Sequence, residues 1–169
     1  MIRPILRYGD SALHMRARTV EKFDDELRTL LRDMAETMYA APGIGLAAPQ
    51  IGVPLRIFVI DVTLGKQTGE LHELINPAFV ACEGMQIEEE GCLSIPGFNA
   101  TVVRPTRAIV NGMDREGNPT TIEGTGLLAR ALQHEMDHLD GALFVDRLRG
   151  IKREVIVRKV QKLRRSGKW

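Results

Sequence analysis

The chain is predicted to be an α+β protein, with mixed or antiparallel sheets wrapped around a central metal-binding helix and a C-terminal helix after it. Three observations predict this. Strand-like segments dominate the middle of the chain, from Arg56 to Glu123. A helical apolar stripe then opens at Gly126, and a second follows from Lys152. Strands that precede late helices, without regular alternation, favour α+β over a parallel α/β sheet.

The elements follow in order. Asp24-Asp25-Glu26 places acids at the positive amino end of a helix, and Leu27, Leu30, Leu31, Met34 and Met38 recur at helical spacing behind them. Pro42-Gly43 ends that helix. Arg56–Asp61 is an apolar strand expected to be buried on both faces. Ala78–Cys82 and Met85–Glu90 read as strands around a turn at Glu83-Gly84. Thr101–Arg104 and Arg107–Asp114 are further strands, and Arg115–Asn118 turns the chain into a hairpin partner at Pro119–Glu123. Gly126–Asp140 carries Leu127, Leu128, Ala131, Leu132 and Met136 as a helical stripe, with Gly141 as its stop. A last helix over Lys152–Arg164 sets Val155, Ile156, Val160 and Leu163 on one side.

Length and composition narrow the function classes. The 169 residues suit one domain spanning 1–169, large enough for a real core. Apolar residues at 44% and charged residues at 27% are ordinary for a soluble globular protein. No run is long and apolar enough for a membrane span. The start, Met1 to Arg7, lacks the apolar core of a secretory signal; Asp10 and the early apolar pattern argue against a transit peptide. A cytoplasmic location is expected. Two cysteines, Cys82 and Cys92, suit a reducing compartment rather than a disulfide scaffold. Net charge is +1, but bases crowd the segment from Arg147 to Trp169, where Glu154 is the sole acid.

The chemistry is concentrated in His134-Glu135-Met136-Asp137-His138. Two histidines four residues apart project from one helix face and can grip one metal ion. The glutamate beside the first can serve as general base for a metal-activated water. The bland alternative is a pair of surface histidines. Gln133 and Asp137 are placed to orient the rings as hydrogen-bond partners. A catalytic site of this kind needs a third protein ligand and an open position. The pattern H-E-x-x-H-x-x-G-x-x-H fails here, because Gly141 fits but Phe144 stands where the third histidine belongs. Glu154, the only later glutamate, sits among bases and suits ion pairing better. Cys92, in Glu90-Gly91-Cys92-Leu93-Ser94, is the better third ligand; its thiolate suits iron(II) as well as zinc. Cys82 is expected to be a buried small apolar residue, and His14 and His72 to be structural or exposed.

Gly43-Ile44-Gly45-Leu46-Ala47-Ala48-Pro49-Gln50 contains a loose dinucleotide-binding match, which the preceding helix and following proline reject. A tight packing turn is one reading. The other is a loop whose backbone runs close to an extended peptide, with the amide of Gln50 reaching the reacting carbonyl.

Three motifs, at 43–50, 90–94 and 133–139, closely resemble the peptide deformylase family in identity, order and separation. The resemblance covers nearly the whole chain. It implies that Cys92, His134 and His138 hold the metal and that Glu135 is general base and acid. It also implies that Gln50 and the backbone N–H of Leu93 stabilise the oxyanion. The implied reaction removes the formyl group from formyl-methionyl nascent peptides, with Fe(2+) natively and Zn(2+) or Ni(2+) as substitutes. Ile44, Gly45, Leu127 and Ala131 are the expected substrate-binding residues. Arg130 stands where the resemblance leads one to expect an apolar residue, so either its stem lines the pocket with its charge reaching solvent, or the pocket differs. The basic C-terminal helix is a solvated face or a contact to ribosomal RNA. A monomer is the expected state. A zinc endopeptidase lacks its third histidine here, and a purely structural metal site would be closed by a fourth ligand.

Overall fold

The computed structural model describes residues 1–169. Helix α1 (Asp25–Ala40) begins where Asp24 accepts the Leu27 N–H at 3.1 Å, satisfying one of the free amides of the first turn. Its apolar stripe, Leu27, Leu30, Leu31, Met34 and Met38, is buried as the periodicity predicts. Seven strands follow: β1 (Gly45–Ala47), β2 (Ile57–Ile60), β3 (His72–Glu83), β4 (Gln86–Gly91), β5 (Asn99–Arg104), β6 (Arg107–Met113) and β7 (Pro119–Thr125). Two helices complete the chain, α2 (Gly126–Leu139) and α3 (Ile151–Arg165).

The strands form two antiparallel sheets. One is ordered β1-β2-β3-β6-β7, and the other is the β4-β5 hairpin. Strand β2 explains how the layers join. Phe58 and Ile60 enter a core with Leu132, Met136 and Leu139 of α2. Ile57 and Val59 enter a second core with Leu31, Met34 and Met38 of α1. Alternate side chains of one strand therefore bind a helix on each side, which is why its sequence is continuously apolar. Each such fully buried side chain contributes about 1.5–3 kcal/mol. A third core, containing Leu13, Ile95, Phe144, Ile156 and Val160, lies under α3.

Several expectations need correction. The glycine segment contains a short strand, β1, which three residues and two glycines were too little to signal. Strand β3 starts six residues before Ala78, because Asn76-Pro77 reads as a break. The strand tolerates it through an irregular register between Ile75 and Ala78, with Asn76 at φ 52 and its side chain bonded to both N–H and C=O of Val20. Strands β3 and β4 are consecutive but belong to different sheets. Cys82 is exposed rather than buried, since the second half of β3 pairs with β6 alone beyond the end of β2. On α3, Val155 is exposed and only Ile156 and Val160 are buried. No helix is long and apolar enough to cross a membrane.

Candidate metal centre

Helix α2 passes through the protein rather than lying on it. Residues Ala129 to Met136 are all buried, as are His138 and Leu139. One helical turn separates His134 from His138, and their Nε2 atoms are 3.2 Å apart. The loop after β4 brings Cys92 Sγ to 3.3 Å from His138 Nε2. The ligating atoms of Cys92, His134 and His138 all lie within 4.8 Å of one another. Donors that share one tetrahedral ion at about 2.0–2.3 Å lie roughly 3.3–3.5 Å apart. The three predicted ligands therefore fit a single ion.

Glu90 determines which nitrogen of His134 is free. Its Oε2 is 2.6 Å from His134 Nδ1, so that ring nitrogen carries the proton and Nε2 is left to bind. Arg104 donates to both oxygens of Glu90, at 2.7 and 2.6 Å, and also reaches Asp137 at 3.1 Å. Arg147 closes the chain on Asp137 at 2.5 and 2.7 Å. Burial opposes the charge of Glu90, but His134 and Arg104 outweigh it and hold the carboxyl well below the usual range. Burial likewise opposes a charged His134, yet Cys92 and Glu90 prevail and raise its pKa. Surroundings that draw a proton onto this ring also draw a metal cation. Burial holds His138 in the neutral form, the form that ligates.

Gln133 and Asp137 make no hydrogen bond to either histidine ring. Gln133 donates to the carbonyls of Pro105 and Ala129, and Asp137 binds Arg104 and Arg147. The orienting group is Glu90. In the acidic run Glu88-Glu89-Glu90 nothing local marks one member, but only Glu90 is buried: alternation turns Glu89 to the other face, and Glu88, on the same face as Glu90, stays exposed. Arg104, on the neighbouring strand, is fully buried and was not singled out from sequence.

Glu135 lies beside the donor set. Its Oε2 is buried with no hydrogen-bond partner, and burial pushes its carboxyl up to about 7 against the pull of His134. A buried lone oxygen on a residue that lines the same cavity as Cys92 and His134 is the arrangement a reacting water would satisfy. Gly45 makes room for it, because a Cβ there would run into Glu135 Oε1. The N–H of Asp61 donates to the Ile44 carbonyl at 2.8 Å, so by strand alternation Gly45 turns its own N–H and C=O away from β2, along an unpaired edge.

Gln50 is buried, with its carbonyl oxygen accepting the Ala47 N–H at 2.9 Å. That bond turns its NH₂ group toward Ser94 Oγ, at 3.1 Å, and Cys92 Sγ, at 3.6 Å. The Leu93 N–H makes no bond to a protein group. A cavity of about 810 Å³ opens here, lined among others by Ile44, Gly45, Gln50, Leu127, Arg130, Ala131 and Glu135. Leu127 is 51% exposed at its mouth. Arg130 does not reach solvent: it is 4% exposed and bound to Glu90. Phe144, in place of a third histidine, is a core residue.

An open Cys-His-His donor set with a buried glutamate defines the composition of a metallohydrolase centre. The comparisons with known proteins agree. The family described as polypeptide deformylase matches residues 2–154. The chain is 47% identical over 169 residues to a peptide deformylase of Acidobacterium capsulatum, covering 100% of this chain and 99% of the relative. It is 51% identical over 166 residues to that of Acetivibrio thermocellus, covering 98% and 95%. The crystal structure of a peptide deformylase from Legionella pneumophila superimposes with a TM-score of 0.92 at 49% identity, over 99% of this chain and 98% of that one. The Synechococcus elongatus peptide deformylase, solved with actinonin, gives 0.89 at 42% identity, over 94% and 88%. The chain belongs to the polypeptide deformylase family.

Proposed function

We propose that the chain hydrolyses the formyl group from formyl-methionyl nascent peptides, releasing formate, and that residues 1–169 act as one catalytic domain. The observation that carries this reading is the convergence of Cys92 Sγ and the Nε2 atoms of His134 and His138 at a cavity also lined by Glu135, whose Oε2 has no partner. Cys92, His134 and His138 would hold the ion, with Fe(2+) the expected metal and Zn(2+) or Ni(2+) substitutes. When bound, such an ion supplies Lewis acidity and lowers the pKa of a water toward ~7.

The remaining work falls to side chains and backbone. The peptide lies extended against the open edge of β1, with Gly45 offering one donor and one acceptor. Its methionine side chain enters the cavity between Ile44, Leu127 and Ala131. Glu135 takes a proton from the attacking water as oxygen adds to the formyl carbon. The former carbonyl oxygen gains negative charge, and the Gln50 NH₂ and Leu93 N–H donate to it; one such donor is worth about 3–4 kcal/mol of barrier. Glu135 then gives its proton to the departing nitrogen, the C–N bond breaks, and formate and a free amino terminus result. A carboxyl with pKa near 7 is suited to take and return a proton at neutral pH.

Formate release from formyl-Met-Ala-Ser, with no internal cleavage of the peptide, tests the reading. Peptide fragments without formate would replace it with an endopeptidase. We place the enzyme in the cytoplasm as a monomer. The exposed bases of α3, including Arg158, Lys159, Lys162 and Arg165, suit contact with ribosomal RNA near emerging chains. Salt-sensitive co-sedimentation with ribosomes, lost on neutralising these bases, is the corresponding measurement.

A further inference from the structure

Arg130 occupies the cavity wall and the metal centre at once. Its Nη1 donates to Glu90 Oε1 at 2.9 Å, its Nη2 to the Val102 carbonyl at 2.8 Å, and its Nε to Gln86 Oε1 at 3.2 Å. Glu90 in turn holds His134 through its other oxygen, at 2.6 Å. Arg130 and His134 are four residues apart, so both stand on the same face of α2. The carboxylate of Glu90 is thus clipped between two side chains of one helix, while Arg104 grips it from β5 at 2.7 and 2.6 Å. Arg104 holds Glu90 from β5 and reaches α2 only through a second carboxylate, that of Asp137, at 3.1 Å. Arg130 is itself part of the helix that bears both histidines and binds Glu90 directly.

We infer that Arg130 is a positioning residue for the metal centre: it clamps Glu90 against α2 and thereby sets the ring of His134. The inference rests on the ligand set of the proposed function. The competing role is a bolt that fastens the β4-β5 hairpin to α2 through Gln86 and Val102. Gln86 separates the two. It binds Arg130 and the carbonyls of Pro105 and Gly126, but not Glu90.

The test loads purified protein with cobalt(II) and compares the wild type with Arg130→Met, Arg130→Lys and Gln86→Met. The readouts are the visible cobalt spectrum, the rate of cobalt loss to excess chelator, the unfolding temperature, and kcat and KM. Partners that orient a ligating histidine are worth about 10–100-fold in metal affinity. Arg130→Met is expected to lose cobalt at least about ten-fold faster, with a shifted spectrum and a fall in kcat larger than any rise in KM. Arg130→Lys keeps the charge but lacks the fork, so it should lie between wild type and Met. Gln86→Met should lower the unfolding temperature while leaving spectrum and cobalt loss unchanged. Wild-type cobalt behaviour in folded Arg130→Met overturns the inference, as does equal loss in Gln86→Met. If Arg130→Met does not fold, an unchanged cobalt spectrum and loss rate in Arg130→Lys overturns it. A wild type that binds no cobalt overturns it together with the ligand set. A wild type that binds cobalt but releases no formate defeats the deformylase reading alone, since the cobalt readouts still decide the role of Arg130.

Discussion

Helices α2 and α3 are close in length but meet the protein on opposite terms. Ten residues of α2 are buried, including Arg130, Gln133, His134, Glu135 and His138. On α3 only Ile156 and Val160 are buried, and its Arg158–Glu154 pair is long and exposed, at 3.8 Å. Arg130 and His134 of α2 are wired to Glu90 of β4 and Asp137 to Arg104 of β5, where desolvation makes a missing partner expensive. The polar groups of α3 face solvent, where single pairs are worth little. Chemistry is sited where the fold can hold a side chain still, and surface charge where it need not.

Substitutions can break or sharpen this contrast. The largest effect is expected from Cys92→Ala, which should abolish both metal retention and formate release, as read by metal analysis and assay. Glu135→Ala should keep the metal and lower kcat by about 10²–10⁴-fold. Turnover surviving that change would remove Glu135 as the proton carrier.

Glu90→Gln should destabilise the fold by about 3–5 kcal/mol, because it leaves Arg130 buried without its counter-charge and Arg104 with that of Asp137 alone. It should also alter the acid limb. The pKa of Glu90 is lowered in the folded state, so its stabilisation is present above the unfolded carboxylate value of about 4.3 and is lost as pH falls through the folded one. Denaturant titrations at descending pH should therefore show the wild type losing stability below about pH 4.3 more steeply than the variant. The smallest effect is expected on α3. Replacing Lys159, Lys162 and Arg165 with Gln should move stability by no more than about 0.5 kcal/mol per site and leave formate release unaltered.

Much of this was legible along the chain. The apolar stripe of α1, the doubly buried β2 and the histidine pair on α2 are local patterns with a period, and each was found where its period placed it. Cys92 was legible by chemistry, as the one remaining soft donor beside a glycine. Less was visible where meaning depends on pairing. Glu90 is one of three adjacent acids until the fold buries it alone, and Arg104 is an ordinary strand end until β5 pairs with β4. Gly45 reads from sequence either as a packing turn or as backbone beside a peptide, and only the Glu135 carboxylate in the place of its missing Cβ shows why a glycine is required there.

The sequence by itself indicated most of the elements, a candidate donor set and the reaction class, since periodicity and ligating chemistry are carried by residue identity and spacing. Tertiary structure alone decided which nitrogen of His134 is free, why Arg130 is buried, and which edge lies open to a peptide. Those depend on groups tens of residues apart meeting within hydrogen-bond distance in a dry interior, and no local pattern encodes such a meeting.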